Sequence, residues 1–185
     1  MHNCLVGSEM CIRDSRGTYG GKIINNSFAY SLGKAVASHY QKNGHINKPI
    51  LLARDTRPSG LELMQYLISG INEFGMEVIN GGVIPTPVIA YSASTTSCCC
   101  AVMITASHNP HGDNGFKIIS SEGSKLSIEE EQSIESFFEI CNNCNLNFGI
   151  CDLPSFSSDL VSKYTINLST KFAKNFLNGI RLVVD

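Results

Sequence analysis

The 185-residue chain is 43% hydrophobic and 16% charged, with a formal net charge of -2, enough apolar material for one full domain with a sizeable core and the opening of another. That balance excludes a basic nucleic-acid surface and an acidic solvating tail, and no apolar stretch approaches the roughly 20 residues of a membrane span. A cytoplasmic protein with a small-molecule ligand is expected, with neither nucleic acid nor membrane among its partners.

Residues 1–15 show no periodicity and no capping signal; they look like translated adapter sequence and are set apart as a candidate non-native segment. Asn26 or Ser27 is expected to cap a helix whose apolar positions Phe28, Leu32, Ala35, Val36 and Tyr40 recur at helical spacing and stop near Asn43-Gly44. Pro49 to Ala53 reads as a short apolar strand running into the charged loop Arg54-Asp55-Thr56-Arg57-Pro58. Ser59-Gly60-Leu61-Glu62 has the spacing of a capping box, ahead of a helix with Leu63, Met64, Leu67, Ile68, Ile71 and Phe74 on one stripe and Gly75 as its stop. Met76 to Ile79 is the next strand, closed by Gly81-Gly82. Thr86 before Pro87 predicts a short helix through Tyr91.

The apolar run Cys98 to Ile104 is a buried strand leading into Thr105-Ala106-Ser107-His108-Asn109-Pro110. After the loop His111 to Gly115, Phe116 to Ile119 returns as a second strand, so the pair forms a hairpin or a close antiparallel return. Ser127-Ile128-Glu129-Glu130 is a second capping box, on a helix that should turn Ile128, Ile134, Phe137 and Phe138 inward. From Cys141 to Ser158 the periodicity is lost, marking a linker; a helix resumes near 159–172, and Ile180 to Asp185 reads as a strand. Alternating strands and helices imply an α/β fold, a layered mixed sheet flanked by helices, followed by the start of a second α/β domain. A chain stopping on a buried-type strand is expected to be truncated.

Eight cysteines suggest a disulfide framework at first, but three are adjacent in an apolar run, which suits buried reduced thiols better. Cys141 and Cys144 have the spacing of half a zinc site, and no second pair follows at finger-like distance.

Serine is a weak nucleophile unless a base, a metal or positive charge activates it. Ser107 is the candidate reactive atom. His108, its neighbour on an extended segment, points the other way, which leaves Lys117, arriving on the return strand, as the better-placed partner. An ordinary turn serine and an exposed edge-strand lysine fit these residues equally well. Arg54 and Arg57 follow a strand end, where α/β folds place ligand contacts, although a structural ion pair with Asp55 is the simpler account of the residues alone. Arg16-Gly17 is similarly ambiguous. The chain lacks the P-loop, the dinucleotide glycine pattern and the hydrolase nucleophile elbow.

Thr105 to Pro110, followed by Asp113-Asn114-Gly115-Phe116-Lys117, closely resembles the active-site signature of the α-D-phosphohexomutases. Arg54 to Gly60 is similar to that family's first-domain loop, Gly82 to Pro87 to its turn, and Arg16-Gly17-Thr18 to its N-terminal Arg-Gly element. The resemblance implies residues 16–145 as the phosphoserine domain, 146–158 as a linker and 159–185 as the start of a second, truncated domain. It implies Ser107 as a phosphoserine, also a Mg²⁺ ligand through its phosphate, with Lys117, His108 and Arg16 as further catalytic residues. Arg57, Asn109 and Thr105 are expected at the substrate, a glucosamine, mannose or glucose phosphate. The implied reaction moves phosphate between O1 and O6 of the hexose through a bisphosphate. Asp113-Asn114-Gly115 and Glu122 to Leu126 favour the phosphoglucosamine branch over the phosphomannose/phosphoglucose branch; a non-catalytic phosphosugar-binding domain is the alternative of another class. The family's metal, sugar and C-terminal phosphate loops would lie beyond Asp185, so residues 1–185 alone are expected not to turn over.

Overall fold

The computed structural model describes residues 14–142 and 149–183. Five strands form one mixed sheet: β1 (Asp14–Thr18), β2 (Ile50–Arg54), β3 (Val78–Val83), β4 (Cys100–Ile104) and β5 (Asp113–Ser120), in the order β1-β5-β4-β2-β3. Strands β2, β3 and β4 are mutually parallel where they pair, and β5 runs antiparallel to both β4 and β1. The expected hairpin is therefore β4–β5.

Helices α1 (Asn26–Lys42), α2 (Gly60–Asn72) and α4 (Ile128–Asn142) cover one face. There Phe28, Leu32, Leu67, Ile104, Phe116, Ile118 and Phe138 form the larger core, with Phe28 stacked obliquely between Phe116 and Phe138. Each such aliphatic or aromatic side chain, once buried, contributes about 1.5–3 kcal/mol. Helices α3 (Thr86–Thr95) and α5 (Leu160–Ser169) cover the other face over a smaller cluster that includes Ala53, Val88, Ala101, Met103 and Leu160. Two glycines let α1 and α2 approach closely: a Cβ on Gly33 would lie 2.2 Å from the Leu67 carbonyl oxygen, and one on Gly70 would lie 2.1 Å from that of Tyr30.

Several local expectations are corrected. Asn25, one residue earlier than expected, caps α1 by accepting from the Phe28 amide at 2.9 Å. Ser59 and Glu62 form no capping box, because both side chains serve tertiary contacts: Ser59 Oγ accepts from Asn114 Nδ2 at 2.9 Å and Glu62 from Asn26 Nδ2 at 2.8 Å. The second box does form, with Ser127 Oγ accepting from the Glu130 amide at 3.2 Å and the Glu130 carboxylate from the Ser127 amide at 2.9 Å. Its neighbour Ile128 is 66% exposed rather than inward, and Ile134 and Phe138, further along α4, enter the core instead. Pro85 rather than Thr86 precedes α3, which continues to Thr95, and β3 runs on through Gly81-Gly82.

Residues 149–157 are tied to the domain rather than free of it: Gly149 and Cys151 meet Ser69 and Asn72 of α2, and residues 154–157 lie along β3. Asn80 Nδ2 donates to the Pro154 carbonyl at 2.9 Å, the Ser157 amide donates to Asn80 at 2.9 Å, and Phe156 stacks so close to Gly82 that a Cβ there would meet its ring at 2.5 Å. Ile180 to Val183 form no strand: no sheet edge meets them, and Val183 is 92% exposed. Of the candidate non-native segment, residues 1–13 fall outside the described residues, while Asp14 and Ser15 open β1 opposite Lys117 and Phe116.

Candidate active site

The register of the sheet decides which loops meet. Arg54 at the end of β2 pairs with Ile104 at the end of β4, and the Asp55 amide donates to the Ile104 carbonyl at 3.1 Å. The loop after β2 therefore runs beside the loop after β4, where parallel strands in α/β folds present ligand contacts.

Strand β4 is buried along its whole length. Its last rung is the Thr105 amide, donating to the Gly115 carbonyl at 2.9 Å. Ser107 then takes a left-handed backbone, φ 54°, a conformation that costs a non-glycine residue on the order of 1–3 kcal/mol and persists only where surroundings enforce it. Here they do. The Ser107 amide donates to Thr105 Oγ1 at 2.9 Å, and the Asn109 amide closes the turn onto the Ala106 carbonyl at 3.1 Å. Asn109 Nδ2 donates to Asp113 Oδ2 at 3.1 Å, and Thr18 Oγ1 to Asp113 Oδ1 at 3.0 Å, tying the loop to β1.

Arg57 supplies the rest of the restraint. Its Nε donates to Asp55 Oδ2 at 3.1 Å, Nη1 to the carbonyls of Pro110 at 2.5 Å and Asp113 at 2.8 Å, and Nη2 to those of Ser107 at 3.1 Å and Asn109 at 2.8 Å. A guanidinium has five N–H donors, and each finds a protein acceptor; the side chain is 10% exposed. Arg57, expected at the substrate, has its side chain turned inward in this structure. The ion pair with Asp55, the simpler account offered by the sequence, is present as one part of this arrangement.

Thr105, Ser107, Asn109 and Arg57 are thus brought together, with His108 exposed beside them. Lys117 and Arg16 sit elsewhere. Lys117 pairs with Met103 and Asp14, and Arg16 with Gly115, so alternation along the strands puts both cations on the α3 face. Gly115 makes room for this: a Cβ there would lie 2.2 Å from the Ser15 carbonyl oxygen and 3.1 Å from Arg16 Cγ. Lys117 lines a cavity of about 420 Å³ with Thr86, Ala90, Ser124 and Lys125. Among the described residues no hydrogen bond joins it to Ser107.

A second cavity of about 390 Å³ lies on the opposite side of the loop, lined by Tyr19, Ser59, Glu62 and His111. Burial and then the neighbouring Glu62 push the Tyr19 phenol up to about 12, so it stays neutral and donates to Asn26 Oδ1 at 3.0 Å. Sequence reasoning missed Asp113 and Thr18 as loop anchors, although the Asp113-Asn114-Gly115 turn signature was visible. Among the described residues no group of three or more His, Cys, Asp or Glu side chains converges as a metal site; Cys144 of the half-zinc spacing lies outside them.

A buried parallel strand ending in a strained, pinned serine loop defines a chain built to present a hydroxyl from an α/β scaffold. The pattern of the family described as "Phosphoglucomutase/phosphomannomutase, alpha/beta/alpha domain I" matches residues 12–142, and the chain belongs to that family. It is 38% identical over 175 residues to a phosphoglucosamine mutase of Campylobacter fetus, covering 92% of this chain and 39% of the relative. A phosphoglucosamine mutase of Helicobacter pylori (strain HPAG1) is 34% identical over 174 residues, again covering 92% and 39%. The chain thus spans about two-fifths of the length of these relatives. Among solved structures, a phosphoglucomutase/phosphomannomutase family protein from Burkholderia thailandensis superposes with a TM-score of 0.69 at 26% identity, covering 87% of this chain and 35% of that one.

Proposed function

We propose that this chain is the phosphoserine-bearing part of a phosphohexomutase, acting in the cytoplasm on glucosamine phosphate. In this reading the Oγ–P bond of phosphorylated Ser107 breaks as a hexose monophosphate hydroxyl attacks phosphorus, the hydroxyl proton departs to a nearby base, and a hexose bisphosphate forms. After the bisphosphate turns around, Ser107 Oγ attacks its other phosphoryl group and the second sugar oxygen leaves with a proton. The net change moves one phosphoryl group between O1 and O6. The observation that carries the proposal is Ser107 itself: an exposed hydroxyl in a left-handed conformation, restrained on both sides, at the exit of a fully buried strand.

Lys117 and Arg16, on one face of the sheet, are proposed to meet the charge of the phosphoryl groups, and His108 to shape the loop's outer side. Thr105 and Asn109 act by holding Ser107. Mg²⁺, when bound, would neutralise phosphoryl charge; Ser107 would hold it through a phosphate oxygen, and the described residues supply no further converging set of ligands. The similarity to phosphoglucosamine mutases supports glucosamine phosphate over mannose or glucose phosphate. Phosphomannomutase or phosphoglucomutase activity remains the second reading, favoured by the family description. Residues 1–185 by themselves are proposed to be inactive, being about two-fifths of the relatives' length.

Mass spectrometry of the full-length protein should find phosphate on Ser107, and Ser107→Ala should lower mutase turnover at least about a thousandfold. An unphosphorylated Ser107 together with full activity in the alanine variant would overturn the reading.

A further inference from the structure

We infer that Arg57 is a positioning residue that sets the direction in which Ser107 and its following amide face; this deepens the phosphoryl-transfer reading and rests on it. Four main-chain carbonyls, those of Ser107, Asn109, Pro110 and Asp113, converge on one guanidinium. Left without it, four oxygens gathered this closely would repel one another, and the loop would open. The consequence reaches the other side of each peptide plane. In a trans peptide the C=O and N–H point opposite ways, and the structure contains no cis bond. Drawing the Ser107 oxygen toward Arg57 therefore turns the His108 N–H away from it. Pro110 has no N–H to turn, but its carbonyl likewise directs the His111 N–H outward.

The His108 and His111 amides have no acceptor among the described residues, and both residues are exposed. Outward main-chain N–H groups at a loop carrying a left-handed residue present partial positive charge to an anion. Arg57 thus holds the carbonyl ends of these dipoles inside and leaves donor ends outside, next to the Ser107 hydroxyl, where phosphoryl oxygens carried by that serine would be met. The left-handed Ser107 is part of the same device: its N–H is taken by Thr105 Oγ1 and its C=O by Arg57, so neither flanking peptide plane can flip independently.

A lysine cannot reproduce the arrangement, since a single ammonium lacks the planar fork that engages two pairs of oxygens. In the full-length protein Arg57→Ala and Arg57→Lys should both lower kcat about 100-fold, the scale of a small misplacement of reacting groups, while KM for hexose phosphate moves less than about threefold. Hydrogen exchange at the Ser107 and Asn109 amides, both hydrogen-bonded in the wild type, should accelerate in both variants, with α1 and α2 unchanged. A KM rise of tenfold or more with kcat retained would make Arg57 a substrate contact and overturn the inference; so would unchanged kinetics, or full rescue by lysine. If wild-type Ser107 proves unphosphorylated, the functional reading fails on its own, and the exchange measurement still decides whether Arg57 holds the loop.

Discussion

On one face of the sheet α1, α2 and α4 seal Ile104, Phe116 and Ile118 from solvent; on the other, α3 and α5 cover Ala101, Met103 and Ile119 with a thinner layer, and the cavity at Lys117 opens there. Strand β5 shows the difference residue by residue. Phe116 and Ile118 enter the thick core while Lys117, between them, faces the thin side with Arg16. A strand paired on both sides can carry a lysine in mid-run only if one of its faces stays partly open, because burying an unpaired ammonium is strongly unfavourable. The thick face holds the fold together, and the thin face leaves room for charge.

The comparison can be broken most decisively at Phe116. Its side chain is fully buried and touches Phe28 at a ring separation of 5.7 Å, so Phe116→Ala should destabilise the chain by about 3–5 kcal/mol. Leu160→Ala on the thin face, where α5 is otherwise largely exposed, should cost about 2 kcal/mol, the low end for a buried leucine, and loosen α5 more than the sheet. Urea unfolding of the two variants checks this; equal losses would erase the distinction between the faces.

Gly70→Ala sharpens it. The new methyl would stand 2.1 Å from the Tyr30 carbonyl oxygen, backbone that cannot swing aside. Forcing α1 and α2 apart should cost about 1–3 kcal/mol, visible as a lower thermal midpoint, whereas Gly44→Ala, where nothing lies within 4 Å, removes no contact and tests only its left-handed turn. A neutral Gly70→Ala would mean that the helices are not in backbone contact.

Much of this was legible in the chain. Helical spacing located the stripes of α1 and α2, the apolar run 98–104 marked the central strand, and the Thr105 to Pro110 string marked the loop, since each is a local signal. Arg57 was legible as a residue but not in its role. Its five acceptors come from positions up to 56 residues away, and only the parallel register of β2 with β4 brings them within reach. The capping box at Ser59 failed for a related reason: spacing proposes a local partner, and Asn114, 55 residues on, competes successfully for the hydroxyl. The Ser127 box, with no such competitor, formed as spacing predicts.

The smallest expected effect belongs to His39, which lies under α4 on the thick face. Its Nδ1 is 2.9 Å from Ser133 Oγ, and its ring stands edge-on to Tyr40 with centroids 4.7 Å apart. Burial pushes the His39 pKa below the ordinary histidine value, with His45 acting in the same direction and Glu130 against it. The folded state therefore resists a proton that the unfolded chain accepts. Wherever the unfolded state binds more protons, stability rises with pH, so the contribution from His39 is fully present above the unfolded pKa and is lost as pH falls from there toward the depressed folded value. Denaturant midpoints measured downward from pH 7.5 should decline through this window, and His39→Gln, which keeps a polar group near Ser133 without a titrating ring, should flatten the decline. The same pH slope in wild type and variant would mean that other groups carry it.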